Sequence, residues 1–225
     1  SHLGPDLALR LARRAEKTGE PFDRSLALLR SGILLSFAGR KWRGRALHRL
    51  RIGRQLARMS RSDEARATGD FSMFVWHRFC GQFHSAARYG HASLERYHNC
   101  HSSTQWEQQF LHWAMLGTYW YTNQLRELTR LTFQLRESAH HRSDPMSLFW
   151  MHVDTAHWAD LVADQPSLAR SSLVIASNAI ANQSLQSPRF FLWLSRIYQS
   201  LYEGNPHQAL AILEADWRQL GQAYL

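Results

Sequence analysis

The sequence predicts an all-α protein, folded as a right-handed α-solenoid of about five stacked antiparallel helix hairpins. The main observation is a set of five short turns at nearly constant spacing. We place the turn centres at Gly39, Gly81, Asn123, Asp164 and Gly204, which are 42, 42, 41 and 40 residues apart. Such spacing is typical of helical repeats, in which each unit buries its apolar face only by stacking on its neighbours. No Asn-Gly or Asp-Gly signal separates alternating strands, which argues against a β fold.

Eleven segments are predicted to be helical. They cover 5–17, 22–38, 41–59, 64–80, 83–98, 105–121, 125–140, 145–162, 166–180, 188–203 and 206–221. Prolines mark several of the starts, at Pro21, Pro145, Pro166, Pro188 and Pro206. Proline is well tolerated in the first turn of a helix because the N–H that it lacks would have no partner there. None of the prolines falls in the middle of a predicted helix.

Packing within each hairpin is predicted from small residues and apolar stripes in its second helix. The positions five residues after each turn hold Gly44, Ala86, Leu128, Ala169 and Ala209. Small residues here would let the second helix lie close against the first. The predicted buried stripes are Trp42, Ala46, Leu50, Gly53 and Ala57 in 41–59, and Ala209, Leu210, Leu213 and Trp217 in 206–221.

The net charge of +9 lies in the first quarter of the 225-residue chain. Residues 1–62 contain 15 Lys and Arg against 4 Asp and Glu, whereas the remainder contains 12 against 14. No apolar run approaches the roughly 18 residues of a membrane-spanning helix, so we expect no membrane partner. Two cysteines, Cys80 and Cys100, are too few for a disulfide framework, and we therefore expect a cytoplasmic protein.

Four stretches carry a resemblance to a known arrangement. They are Leu7–Gly39 with its Gly19-Glu20-Pro21 break, Cys100 followed by Trp106-Glu107, Arg142-Ser143-Asp144, and Leu201–Asn205 running on to Ala209 and Trp217. Together they resemble the tetratricopeptide-like region that follows the catalytic domain of large bacterial serine/threonine protein kinases, and that occurs in some multidomain ATPases. The resemblance implies a single tetratricopeptide-like domain over 1–225, taken from a longer protein. It also implies a non-catalytic interaction or autoregulatory module in a bacterial signalling protein.

Catalytic motifs are not found in the sequence. It contains no kinase Gly-rich loop, V-A-I-K lysine, H-R-D-L-x-x-x-N loop or D-F-G, and no G-x-S-x-G elbow. The tetrapeptide His141-Arg142-Ser143-Asp144 resembles a catalytic loop only superficially, because its Asp is misplaced and is better explained as a helix cap. We therefore expect neither enzymatic activity nor a cofactor.

Two Cys/His-rich groups are weak candidates for a metal site. One group is His77, Cys80 and His84, the other His98, Cys100 and His101, and His152, Asp154 and His157 form a third acid–base candidate. Neither of the first two groups has the paired C-x2-C or H-x3–5-H spacing of zinc sites, and a hairpin holds them about 20 Å apart. Offsets of two and five residues put the third group on different faces of its predicted helix. We expect no metal.

Tryptophan supplies the best candidates for partner binding. Most of the nine tryptophans fall in first helices of hairpins, which line the concave surface of a solenoid, where peptides or helices dock. The candidate contact residues are Trp113, Trp120, Trp150 and His157, together with Arg40, Arg43 and Arg51, which would steer an acidic partner electrostatically. Trp113 and Trp120, like Trp150 and His157, are seven residues apart on one predicted helix face.

The expected partner is a protein or peptide, including the catalytic domain of the same polypeptide. Two alternatives remain open from the sequence. One is a nucleic-acid-binding helical repeat that uses the basic segment from Arg40 to Arg61, with salt-sensitive affinity. The other is a small-molecule sensor with a ligand enclosed between helices.

Overall fold

The structure is a computed structural model, and it describes residue 14 and residues 19–100, 105–142, 145–181 and 186–224. Regular secondary structure in these residues is entirely helical, which confirms the predicted all-α class. The predicted helix 5–17 and the motif residues His101, Ser143 and Asp144 lie outside the described residues.

Eleven α-helices are present in the described ranges. They are α1 (Pro21–Phe37), α2 (Arg43–Met59), α3 (Asp63–Phe79), α4 (Phe83–His98), α5 (Gln105–Tyr121), α6 (Leu125–Arg142), α7 (Pro145–Trp150), α8 (Thr155–Val162), α9 (Pro166–Ala179), α10 (Gln186–Tyr202) and α11 (Pro206–Tyr224). The chain forms two compact units, residues 1–111 and 112–225. In the first unit, α1 packs with α2 and α3 with α4; in the second, α9 packs with α7, α8 and α10, and α10 with α11. None of the helices in the described ranges is both long and apolar enough to cross a bilayer.

Four of the five predicted turns share one hydrogen-bonded geometry. Their centres have positive φ, at Gly81 (74°), Asn123 (57°), Asp164 (54°) and Gly204 (74°). The residue after each centre donates its N–H to the carbonyl five residues earlier: Gln82 to His77, Gln124 to Tyr119, Gln165 to Asp160 and Asn205 to Ser200, at 2.8–3.0 Å. This is the Schellman closure of a helix C-terminus. The regular spacing of these residues in the sequence therefore corresponds to a turn of the same geometry at four of the five positions.

The first turn differs, and it overturns one packing prediction. Gly39 has φ +89°, but a short 3₁₀ helix, Arg40–Trp42, follows it and delays the start of α2. Gly44 is consequently exposed, with no atom within 4 Å of the position of an added Cβ, and Ala46 is the buried small residue instead. At the other four turns the predicted residues Ala86, Leu128, Ala169 and Ala209 are buried.

Helices α1 and α2 approach closely through a pair of glycines. Ala46, Leu50, Gly53 and Ala57 of the predicted stripe are buried, whereas Trp42 belongs to the preceding 3₁₀ helix and is only half-buried. A Cβ added at Gly53 would lie 2.8 Å from Cγ of Leu29, and one added at Gly32 would lie 2.8 Å from Cγ of Leu50. Each glycine thus makes room for a leucine of the facing helix.

We expect Gly53→Ala to lower the free energy of unfolding by about 1–3 kcal/mol, because the new methyl group overlaps a leucine in a packed core. Gly44→Ala is the matched control. That position has open space, and the change is expected to stabilise the same helix by up to about 1 kcal/mol through helix propensity. Urea denaturation of the two variants would measure both effects, and equal changes of the same sign would contradict this account.

The predicted helix 145–162 is wrong, because it is broken between Trp150 and Thr155. Asp154 has φ +53° at the break. Side chains of neighbouring helices satisfy the backbone there: Ser195 Oγ accepts from the N–H of Asp154 at 2.8 Å, and Arg136 donates to the carbonyl of Met151 at 2.7 Å. Both partners are distant in the sequence, so local patterning could not reveal the break.

Two further predictions need smaller corrections. Helix α10 begins at Gln186, two residues before Pro188, which still keeps proline in the first turn. In α11, Ala209 is buried, whereas Leu210 and Trp217 are exposed by 51% and 61%. The apolar stripe predicted for that helix is therefore only partly covered by the described residues.

Candidate functional site

An exposed apolar residue occupies the same position in all five repeats. It lies two residues before each turn centre and is Phe37, Phe79, Tyr121, Val162 or Tyr202, with exposed fractions of 49, 46, 58, 37 and 44%. Isolated exposed apolar residues are common on protein surfaces, but clustered ones mark interaction sites. A recurrence in register with the repeat indicates a surface that the fold presents regularly.

Within residues 1–111, the first two of these residues contact each other. The rings of Phe37 and Phe79 are 4.6 Å apart in an edge-to-face arrangement. They stand at the C-terminal ends of α1 and α3, the first helices of consecutive hairpins. The guanidinium of Arg43 donates to the carbonyl of Phe79 at 3.0 Å and so caps α3.

Within residues 112–225, two of the equivalent positions, Val162 and Tyr202, line an apolar groove, which we call the aromatic groove. Its lining includes Trp120, Trp158, Val162, Tyr198, Leu201 and Tyr202, and its volume is about 450 Å³. The ring of Trp158 lies 4.9 Å from that of Trp120 and 5.0 Å from that of Tyr198. Three helices, α5, α8 and α10, thereby contribute a continuous row of rings in tilted and edge-to-face contact. Large, rigid aromatic side chains of this kind dominate binding energy at protein interfaces.

Carboxylates lie beside this groove. The hydroxyl of Tyr202 donates to Oδ1 of Asp164 at 2.5 Å, and this hydrogen bond raises the pKa of Tyr202. Glu203 accepts from Arg170 at 2.8 Å and from Gln199 at 2.6 Å. The groove therefore combines an apolar floor with negative charge at one side.

The structure separates the predicted aromatic contact residues. Trp120 is 37% exposed and lines the aromatic groove. Trp113 and Trp150 are half-buried; their rings are 5.2 Å apart, and both contact Phe191. His157 is completely buried, and it shares no continuous helix with Trp150.

The predicted basic contact residues Arg40, Arg43 and Arg51 are all exposed. Residues 1–111 contain 19 Lys and Arg against 9 Asp and Glu, whereas residues 112–225 contain 8 against 9. The positive charge thus belongs to the first unit, and the aromatic groove lies in a unit close to neutrality.

A buried ion pair lies at the break between α7 and α8. The guanidinium of Arg136 contacts both carboxylate oxygens of Asp160, at 2.6 and 2.8 Å. It also donates to the carbonyls of Met151 and Ala156, on either side of the break, at 2.7 and 3.0 Å. The side chains of Arg136 and Asp160 are only 8% and 1% exposed. Arg136 therefore donates hydrogen bonds to backbone carbonyls at the break in the helix.

Hydrogen bonding determines the tautomers of two histidines beside this pair. Ser172 donates its hydroxyl hydrogen to Asp160 at 3.0 Å, so His152 must donate from Nδ1 to Ser172 at 3.1 Å. His157 donates from Nε2 to the amide oxygen of Gln199 at 3.0 Å. Burial lowers the pKa of His152 to about 3 and that of His157 to about 4. Both imidazoles are consequently neutral at physiological pH.

The Ser172–His152–Asp160 group contains the residue types of a hydrolytic triad, but its geometry serves packing. Ser172 is 1% exposed, and its hydroxyl hydrogen is engaged by the carboxylate instead of by the imidazole. A nucleophile needs an adjacent base and access to the substrate. We therefore assign these residues a structural role in joining α8 and α9 to the segment between α7 and α8.

The Cys/His groups remain dispersed. His77 bonds to Gln82 at 2.6 Å and stacks on Tyr89 at 5.1 Å, and burial lowers its pKa. Cys80 and Cys100 are free thiols whose pKa values are raised by burial. Among the described residues, no three His, Cys, Asp or Glu side chains come together as metal ligands would.

Sequence reasoning missed both the exposed apolar position and the Arg136–Asp160 pair. The first has a signal in the sequence, because aligning the five turns places Phe, Phe, Tyr, Val and Tyr at one position. The second has none that we can identify, since its two members belong to different repeats.

Comparison with protein families, curated proteins and solved structures finds no match for the chain.

Proposed function

We propose that this protein is a non-catalytic helical-repeat module that binds a segment of a partner protein in the aromatic groove. The observation that carries the proposal is the groove itself, whose lining leaves the rings of Trp120, Tyr198 and Tyr202 more than a third exposed. A globular protein gains about 25 cal/mol for each Å² of apolar surface that it buries. Apolar side chains that are left exposed together in one groove are therefore best explained by a partner that covers them. We also propose that the hairpins stack as the right-handed solenoid that the repeat spacing predicts.

The occupant that fits the groove best is an amphipathic helix with apolar and basic side chains. Grooves between helices commonly receive such a helix through apolar anchors at i, i+3 or i+4 and i+7. Trp120, Trp158 and Tyr198 offer a row of rings for these anchors. Asp164 at the side of the groove favours Lys or Arg next to the anchors, whereas Glu203 is already paired with Arg170.

The resemblance to the region that follows bacterial serine/threonine kinase domains suggests the context of this binding. In that context the bound segment belongs either to a separate signalling protein or to the catalytic domain of the same polypeptide. The parent reading frame tests this part of the proposal. A protein-kinase domain encoded upstream supports it, and an unrelated upstream region contradicts it.

The groove itself can be tested with a displayed library of random peptides, selected on the wild-type protein. We expect the selected peptides to share apolar anchors at helical spacing with basic neighbours. The synthetic consensus peptide should bind Trp120→Ser at least about tenfold more weakly, because an aromatic anchor at an interface is worth about 2 kcal/mol or more.

Val174→Ser is the matched control for this measurement. Val174 is 60% exposed and lies on α9, outside the groove lining. Its replacement should leave the affinity unchanged. Enrichment of no consensus, or equal binding to the wild type and Trp120→Ser, would contradict the assignment of the groove.

A further inference from the structure

A second concave site lies in residues 1–111, and arginines dominate its lining. Arg54, Arg58, Arg66 and Arg96 surround a hollow of about 190 Å³, together with the single carboxylate of Asp70. The four arginines come from α2, α3 and α4. Their charges outnumber that of the carboxylate by three.

Two of the arginines occupy equivalent positions of successive hairpins and bond to the same carboxylate. Arg54 and Arg96 each lie fifteen residues after a turn centre, Gly39 or Gly81, and so occupy the same position of successive hairpins. Both donate hydrogen bonds to the buried carboxylate of Asp70. Nη2 of Arg54 lies 2.9 Å from one of its oxygens, and Nε of Arg96 lies 3.0 Å from the other.

Further contacts orient Arg54. Its guanidinium lies 5.0 Å from the ring centre of Tyr89, in a cation–π arrangement. Gly69 lets the stem of Arg54 pass closely, because an added Cβ there would be 3.1 Å from Cγ of the arginine. A guanidinium has five N–H donors, and the bond to Asp70 uses one donor of Arg54. The side chain is thus positioned with donor capacity to spare.

Arg58 and Arg66 complete the hollow from its more exposed side. Arg58 is exposed, and Arg66 is 37% exposed, with Nη1 3.5 Å from Oδ1 of Asp63. An exposed ion pair at i,i+3 contributes little free energy. Asp63 therefore competes only weakly with a bound anion for Arg66. These two arginines are less constrained than Arg54 and Arg96, which both bond to Asp70.

The geometry points to a binding site for a phosphate monoester in this hollow. A planar guanidinium fork matches the oxygens of phosphate, and several forks converging on one volume are the usual way in which proteins bind that group. A dianion compensates more of the excess charge of the lining than a carboxylate would. The phosphate belongs either to a small metabolite or to a phosphorylated side chain, and this site is independent of the aromatic groove.

Isothermal titration of the full chain with phenyl phosphate, at constant ionic strength, tests this inference. We expect saturable binding with one site per chain. The double variant Arg58→Gln/Arg66→Gln should weaken the affinity for phenyl phosphate roughly tenfold, because charge-assisted bonds to the anion are lost. The bonds from Arg54 and Arg96 to Asp70 should remain. Arg88→Gln removes a positive charge from an exposed position of α4 outside the lining and should change the affinity by less than about twofold.

Further arms identify the source of the phosphate and separate this site from the groove. A phosphoserine peptide that binds more tightly than phenyl phosphate, and than its unphosphorylated form, assigns the group to a protein side chain; equal affinities assign it to small phosphate esters. Trp120→Ser should retain phosphate binding in either case. Absence of saturable binding, or an equal loss in Arg88→Gln, would overturn the inference.

Discussion

Arg136→Met is expected to lower the free energy of unfolding by about 3–5 kcal/mol, because it leaves the carboxylate of Asp160 buried without its counter-ion. The side chain of Asp160 is 1% exposed, and both of its oxygens accept from the guanidinium. The substitution also removes the donor to the carbonyls of Met151 and Ala156 at the helix break. Urea denaturation followed by far-ultraviolet circular dichroism would measure the loss.

Arg130→Met is the matched control for this prediction. Arg130 lies on the same helix, and its ion pair with Glu127, at 2.6 Å, is exposed on the surface. Exposed pairs of this kind contribute little, so the control should unfold close to the wild type. The double variant Arg136→Met/Asp160→Leu should recover much of the loss, since no buried charge is then uncompensated. Similar losses in Arg130→Met and Arg136→Met would refute the role assigned to the buried pair.

Stability is also expected to fall steeply in mild acid. His152 and His157 have pKa values of about 3 and about 4 in the folded protein, against 6.5 in an unfolded chain. Between pH 6.5 and pH 4 the unfolded chain binds protons that the folded protein excludes. The contribution of these histidines is thus complete above pH 6.5 and is lost as the pH falls. From pH 7 to pH 5 the two together should cost about 3–4 kcal/mol.

Denaturation midpoints between pH 7 and pH 5 would test this dependence. Replacing either buried histidine, as His152→Gln or His157→Gln, should remove about half of the slope, whatever the variant's absolute stability. His48→Gln changes an exposed histidine on α2 and should leave the slope as it is. A slope that survives the double replacement His152→Gln/His157→Gln would show that other groups cause the acid sensitivity.

Much of the helical framework was predictable because its signals are local. The turn centres have positive φ where Gly, Asn or Asp stands at the repeat spacing, and these residues are the ones that adopt that conformation at least cost. Helices α4 and α5 have the predicted bounds, and α3 and α9 differ from them by a residue at most. The errors arose where a short 3₁₀ helix shifted the register after Gly39, and where α7 and α8 replaced one long helix.

The candidate sites were less predictable. Trp120 was chosen as a tryptophan in the first helix of a hairpin, and His157 because it follows Trp150 by seven residues, but His157 is completely buried. A single amphipathic sequence does not say which apolar side chains a neighbouring helix will cover. The arginine hollow likewise needs Arg54 and Arg96, which are 42 residues apart, to meet at one carboxylate.

The amino-acid sequence by itself determined the all-α class, the five turns and the positions of most helix ends. Each depends on a few adjacent residues: backbone preferences, proline and the period of apolar side chains. Only the tertiary structure decided the break before Thr155, the burial of Arg136 with Asp160, and which aromatic rings remain exposed. These features depend on side chains from distant repeats that satisfy, or leave open, the same hydrogen-bonding groups and apolar surfaces.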